Sequence, residues 1–279
     1  MGRKKVGLAL SGGAARGMAH IGVLEVLQSE EIPIDMIAGT SAGALVGALF
    51  ARNQDAQQLK NEAINIDRRR VVRMLDITIP RTGFIEGKKL KSLLRETIGG
   101  DIKFSDLKIP LAVVTTDIMT GEEVVFKEGS VLEAVRASIS LPIVFTVEKY
   151  KGRYLVDGGL TNPVPVSVLR EMGADFVIAV NVIPHPADRA LAGGGDKAID
   201  KRGPNIIHVT TQSLYIGTYA MVKSSLESAD VVIEPRVAHV PPYEFIQARE
   251  CIQQGEIAAR AAVPEIKRLL QEQTIKLEK

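Results

Sequence analysis

Short bursts rich in Val, Ile, Leu and Ala alternate with helix-period patterns along this chain, and that alternation constrains its fold more than any other feature. Strands separated by helical segments pair in parallel, because a parallel connection needs a crossover of a dozen residues or more. The first burst spans residues 6–10, and a helix follows to about Ser29 with Ile21, Val23, Leu24, Val26 and Leu27 on a broad apolar face. A strand at 34–38 then leads into a helix of small residues reaching about Ala51. Residues 55–99 read as a more charged helical insert, interrupted near 80–87. Strands are expected at 111–116 and 124–126, a short helix at 131–137, and a strand at 154–156. A helix after Pro163, a strand at 176–182, a helix at 206–228, a strand at 231–234 and a last helix at 243–270 complete the pattern. Residues 184–204, with three prolines and Gly193-Gly194-Gly195, read as a flexible loop and a surface insertion within one domain. The expected class is α/β with a mostly parallel central sheet.

Two of the strand-to-helix junctions carry glycine patterns that suit chemistry. Gly39-Thr40-Ser41-Ala42-Gly43 fits G-x-S-x-G between an apolar strand and a helix. In such an elbow the serine is held in a strained conformation, and the glycines two before and two after it permit a close approach that a Cβ would block. The hydroxyl is exposed, and the N-terminus of the following helix favours developing negative charge. A capping serine in a glycine-rich turn would look the same locally.

Upstream, Ser11-Gly12-Gly13-Ala14-Ala15-Arg16-Gly17 joins the first strand to the first helix, where free backbone N–H groups can face an anion. The glycine spacing meets neither the dinucleotide fingerprint nor the P-loop, so an oxyanion hole with donors among Gly12, Gly13 and Ala14 fits better than a nucleotide phosphate. Arg16 either adds positive charge there or holds the loop.

An attacking serine needs a proton acceptor. The chain has four histidines. His20 lies on the apolar side of the first helix and reads as structural, whereas His185, His208 and His239 all follow in an order that a Ser-His-Asp triad permits. Asp157 is the stronger candidate by position, since it ends a short strand and precedes Gly158-Gly159, a backbone able to turn beneath a reactive group. A carboxylate with an ordinary pKa of about 3.9 is a poor base, so Asp157 would have to be desolvated beside the serine and coupled to oxyanion donors.

These segments together resemble the patatin-like phospholipases, and in particular their compact bacterial members. SGGAARG at 11–17 resembles the family's oxyanion loop, GTSAG at 39–43 its serine elbow, and Asp157-Gly158-Gly159-Leu160-Thr161-Asn162-Pro163 its aspartate block. Arg136-Ala137-Ser138-Ile139-Ser140-Leu141-Pro142 resembles the segment that precedes that block. The four occur in family order over about residues 6–165. The resemblance implies a three-layer α/β/α fold and hydrolysis of lipid acyl esters such as phospholipids or lysophospholipids. It also implies a Ser41–Asp157 dyad without a catalytic histidine, and neither metal nor other cofactor. Ala14 departs from the third glycine of many relatives, a change that keeps the N–H donor.

Thirty-five basic residues against 33 acidic ones argue against a nucleic-acid binder. One cysteine, Cys251, forms no intrachain disulfide and fits a reducing, cytoplasmic compartment. Residues 6–10 are too short for a signal peptide, and the longest uncharged run, 36–51, is too short and glycine-rich for a membrane span. Val6 stands where a myristoylation signal needs Ser or Thr. Arg68, Arg69, Arg70, Arg73 and Arg81, interleaved with Val71, Val72, Met74 and Leu75 and followed by Lys88, Lys89 and Lys91, suit peripheral contact with the anionic inner membrane surface; a solvated helix face is the alternative. A triad esterase and a catalytically silent lipid-binding regulator on the same fold are the competing functions.

Overall fold

The computed structural model describes residues 3–65, 87–142, 147–191, 206–242 and 244–277, and builds them on one eight-stranded sheet. Its strands are β1 (Val6–Leu10), β2 (Met36–Thr40), β3 (Leu111–Asp117), β4 (Glu123–Phe126), β5 (Glu148–Tyr150), β6 (Arg153–Asp157), β7 (Phe176–Val180) and β8 (Val231–Ile233). Five of them run parallel in the order β8-β7-β1-β2-β3. The connections between these strands carry the helices α1 (Ala19–Ser29), α2 (Ala42–Asn53), α3 (Ala56–Ile64), α4 (Gly87–Ile98), α5 (Val131–Ser138), α6 (Val166–Glu171), α7 (Pro186–Leu191) and α8 (Ile206–Glu227); α9 (Ala248–Leu277) follows the last strand.

Successive strand residues point to opposite faces, and both faces are covered, which is why the strands read as unbroken apolar runs. On one face Leu8, Ile37, Val113 and Ile178 pack with α1, α2, α5 and α9. On the other, Ala9, Ala38, Ala112 and Val177 pack with Val166, Val168 and Leu169 of α6 and Val222 of α8. This is the three-layer α/β/α arrangement, with a mixed sheet whose strands are mostly parallel.

The antiparallel part positions the site. β3 pairs with β4 along Val113–Thr116, which occupies one edge of β3. The other edge is divided: β2 pairs with β3 from Leu111 to Val114, and β6 pairs antiparallel from Thr115 to Asp117. β2 thus ends at Thr40 opposite Val114 while β6, running the other way, ends at Asp157 opposite Thr115. The two strand ends abut.

Several boundaries differ from the sequence reading. The second strand begins at Met36 instead of residue 34, because Asp35 is used to fasten its start: its N–H donates to Val6 C=O and its carboxylate accepts from Val6 N–H. β5 carries no apolar burst and was not expected; it is a three-residue edge strand formed by a tight hairpin onto β6. Within 184–204, residues Pro186–Leu191 form a short helix, with proline at its first position as helices favour. The rest of that segment, and the arginine cluster at 68–81 of the helical insert, lie outside the described residues.

Candidate active site

Ser41 sits between β2 and α2 at φ 53 and ψ −119, a conformation that costs a non-glycine residue energy and is held by its surroundings. The elbow is closed tightly. A Cβ on Gly39 would lie 2.6 Å from Ala44 Cα, and one on Gly43 would lie 2.2 Å from the Leu10 carbonyl oxygen, so neither position has room for a side chain. The Ser41 N–H donates to Ser138 Oγ at 2.8 Å, and the Ser138 hydroxyl in turn donates to Val114 C=O at 2.6 Å.

Because β2 and β6 meet end to end on β3, the Ser41 hydroxyl reaches Asp157 Oδ2 at 2.5 Å across a sequence separation of 116 residues. The other carboxylate oxygen, Oδ1, accepts the Gly159 N–H at 2.8 Å. The Asp157 N–H donates to Ser140 C=O, and its own carbonyl accepts from the Thr116 hydroxyl. Burial pushes the Asp157 carboxyl up from 3.8 to about 6, although the hydrogen bonds from Ser41 and Gly159 pull the other way. Gly158 is needed for close approach, since its Cβ would meet Val114 C=O at 2.3 Å. Gly159 has no such constraint and contributes its N–H.

The glycine loop lies alongside, with Gly12 Cα's missing Cβ placed 3.5 Å from Ser41 Cβ. Among its N–H groups, those of Gly13 and Ala14 carry no hydrogen bond to the described residues. The expected donor Gly12 is a correction: its N–H is committed to Pro163 C=O at 3.1 Å, tying the loop to the segment after Asp157. That same segment is fastened to β2 by the Thr40 hydroxyl, which donates to Asn162 C=O. Ala14 adopts φ 52, the left-handed region that favours glycine and strains an alanine.

Arg16 does not reach the dyad. Its Nε donates to Val240 C=O at 2.8 Å, and its neighbours are Tyr215, Arg189 and Cys251. Burial lowers this guanidinium to about 10, and its bond to Val240 C=O ties the loop to the segment before α9. His20 is structural as expected: buried beneath the loop and lowered to about 4 by desolvation, it donates Nε2–H to Ser11 C=O at 2.9 Å. His185 meets the Tyr219 ring edge to face, and His239 pairs with Glu250 at the surface. The Ser41 hydroxyl therefore faces a carboxylate and none of these imidazoles. Among the described residues no group of three His, Cys, Asp or Glu side chains is arranged to hold a metal ion.

Sequence reasoning missed three contributors: Ser138, Ser140 and Thr116. The first two lie in the quoted 136–142 segment, whose role follows only from the fold. Arg136, fully buried, bonds Ser140 Oγ and lies 3.8 Å from Glu148, which fixes the turn that carries both serines.

Comparison with known proteins places these features in a family. The sequence profile of "Patatin-like phospholipase" matches residues 8–170. An uncharacterised NTE family protein of Mycobacterium tuberculosis is 36% identical over 178 residues, covering 64% of this chain and 49% of that protein. The neuropathy target esterase sws of Drosophila melanogaster is 35% identical over 182 residues, covering 63% of this chain and 13% of its own length. This chain thus matches half or less of each relative. Among solved structures, VipD from Legionella pneumophila superposes with a TM-score of 0.53 at 14% identity over 94% of this chain and 67% of VipD, a likeness of fold.

Proposed function

Since the chain belongs to the patatin-like phospholipase family, we propose that it is a serine acyl hydrolase that cleaves carboxylic esters of phospholipids or lysophospholipids through a Ser41–Asp157 dyad, within a single catalytic domain. The observation that carries this reading is the 2.5 Å hydrogen bond from the Ser41 hydroxyl to a buried Asp157 carboxylate, beside two uncommitted N–H groups.

Ser41 Oγ attacks the ester carbonyl carbon while its proton passes to Asp157 Oδ2. The carbonyl oxygen becomes an oxyanion held by the N–H groups of Gly13 and Ala14. Collapse of the intermediate breaks the carbon–oxygen bond to the alcohol, which takes the proton from Asp157 and leaves an acyl-Ser41. Water then gives a proton to Asp157 and attacks the acyl carbon, releasing the fatty acid and restoring the serine. A carboxyl near 6 is a better acceptor than one at 3.8, and it is still ionised at neutral pH. Gly159 holds Oδ1, so that Oδ2 stays on the serine.

Fluorophosphonate labelling with mass-spectrometric site mapping tests the reading. The expected result is an adduct at Ser41, absent in Ser41→Ala, together with turnover of p-nitrophenyl esters and lysophospholipids that Ser41→Ala and Asp157→Asn both lose. No turnover of any acyl ester would instead favour a silent lipid-binding protein. Loss of activity on replacing His185, His208 or His239 would favour a triad.

A further inference from the structure

We propose that the paired hairpins beside the dyad, β3–β4 and β5–β6, form the surface with which this protein docks on an anionic phospholipid bilayer. The inference rests on the acyl hydrolase reading only for its purpose, since the surface can be tested without catalysis.

Five of the ten exposed large apolar side chains among the described residues gather at this end of the sheet. Met119, at the tip of the β3–β4 turn, is 74% exposed, and Ile118, Leu141, Val147 and Tyr154 are 40–47% exposed. The other five are scattered over α8, β8, α9 and the turn before α9. The Ile118 N–H donates to Tyr154 C=O, and Tyr154 is paired with Lys149, so these three residues form one row across adjacent strands. Tyr154 lies three residues before Asp157 on β6, about 10 Å away at the rise of an extended strand. Because β6 runs antiparallel to β3, that direction leads beyond the carboxyl ends of the parallel strands, the edge at which Ser41 stands.

At this edge Lys149 and Lys151 stand free, while Glu123, exposed at the start of β4 and bonded by Asn162, is the acidic exception. Arg153 is used between Glu122 and Asp117, a contact that ties the two hairpins into one platform. Lys149 and Lys151 have no acidic partner among the described residues; each ammonium lies over a tyrosine ring, Tyr154 and Tyr150, at 5.7 and 5.3 Å. Lys151 stands at the tip of a two-residue turn whose residues both have positive φ, 47° and 83°, a tight hairpin that fixes the backbone carrying the lysine. Apolar side chains able to enter an acyl layer, rimmed by unpaired lysines and an interfacial tyrosine, match an anionic membrane surface. A soluble acidic protein would not require the exposed Met119 and Ile118.

Co-sedimentation of the full chain with phosphatidylcholine vesicles, alone or with phosphatidylglycerol, tests the proposal. The expected result is binding to the mixed vesicles that weakens with salt. An I118D/M119D variant lowers the partition coefficient on the order of tenfold, and Lys149→Glu and Lys151→Glu each lower it on the order of fivefold on anionic vesicles only. Folding is checked by melting temperature. Ser41→Ala binds like the wild type, so the docking result stands or falls apart from the catalytic one. Turnover of a short water-soluble ester, if present, stays within about twofold in the hairpin variants, while hydrolysis of vesicle lipid falls with binding. Equal vesicle binding by variants and wild type, or none by either, overturns the proposal. So does a wild-type dimer that I118D/M119D converts to monomer without changing vesicle binding.

Discussion

Replacing Asp157 by asparagine separates what this residue does for chemistry from what it costs the fold. Burial displaces its carboxyl from 3.8 to about 6. Between those two values the folded chain binds more protons than the unfolded one, so stability falls as pH rises through that interval and the full penalty is present above it. The displacement corresponds to about 3 kcal/mol at neutral pH. Asparagine keeps the shape and carries no charge; with its oxygen on the Gly159 N–H, its amide nitrogen would donate to Ser41 Oγ, and exchanging a charge-assisted bond for a neutral one costs about 1 kcal/mol. The variant should therefore be about 2 kcal/mol more stable than the wild type near pH 7.5, a rise of about 5 °C in melting temperature for a chain of this size. Near pH 3.5 the wild-type carboxyl is largely protonated in the folded state, the advantage disappears, and the variant should be about 1 kcal/mol less stable. Thermal or urea unfolding of both proteins across this range reads the crossover. A variant that is less stable at both ends, or a gap that does not change with pH, would refute the idea that Asp157 is held as a desolvated carboxylate.

The same displacement predicts that ester hydrolysis has an acid limb with an apparent pKa of about 6, falling about fivefold from pH 6 to pH 5, because only the ionised form accepts the serine proton; a limb near 4 would argue against it. Ser138→Ala leaves the Ser41 N–H without its partner, a loss of about 1–3 kcal/mol. It should slow fluorophosphonate labelling by roughly ten- to a hundredfold, with Ser138→Thr largely restoring the rate. Gly43→Ala drives a Cβ onto the Leu10 carbonyl and should destabilise by about 3 kcal/mol or more, whereas Gly159→Ala, facing only Asp157 Oδ1 at 3.1 Å, should stay within about 1 kcal/mol by urea unfolding.

The layered fold was legible because the central strands β1, β2, β3 and β7 are covered on both faces and all of these but β3 are followed by a helix. The elbow was legible for a related reason: Gly39 and Gly43 stand where only glycine fits, and such positions leave a mark in the sequence. Gly12 shows where that reasoning stops. A glycine-rich loop announces N–H groups but not which are taken, and the bond from Gly12 to Pro163 joins segments far apart in the chain. Ser138 was invisible for the same reason, being a serine at a helix end until α5 is packed against β2 and β3. β5 had no apolar signature because an edge strand of three residues, Glu-Lys-Tyr, has little to bury.

What brings the two halves of the site together is a matter of register. β3 offers one edge to two strands, and β2 leaves off where β6 begins to pair. Were β6 to slip by one residue, Asp157 would turn to the opposite face of the sheet and away from Ser41. The Asp157 N–H on Ser140 C=O, the Thr116 hydroxyl on Asp157 C=O, and the Gly158 backbone pressed on Val114 all oppose that slip. The 136–142 segment therefore does for the aspartate what the glycines do for the serine: Ser138 fixes one side chain's backbone and Ser140 the other's, from a single turn anchored by buried Arg136. A serine and an aspartate separated by 116 residues can be held at hydrogen-bond distance because both of their strands are measured against the same third strand.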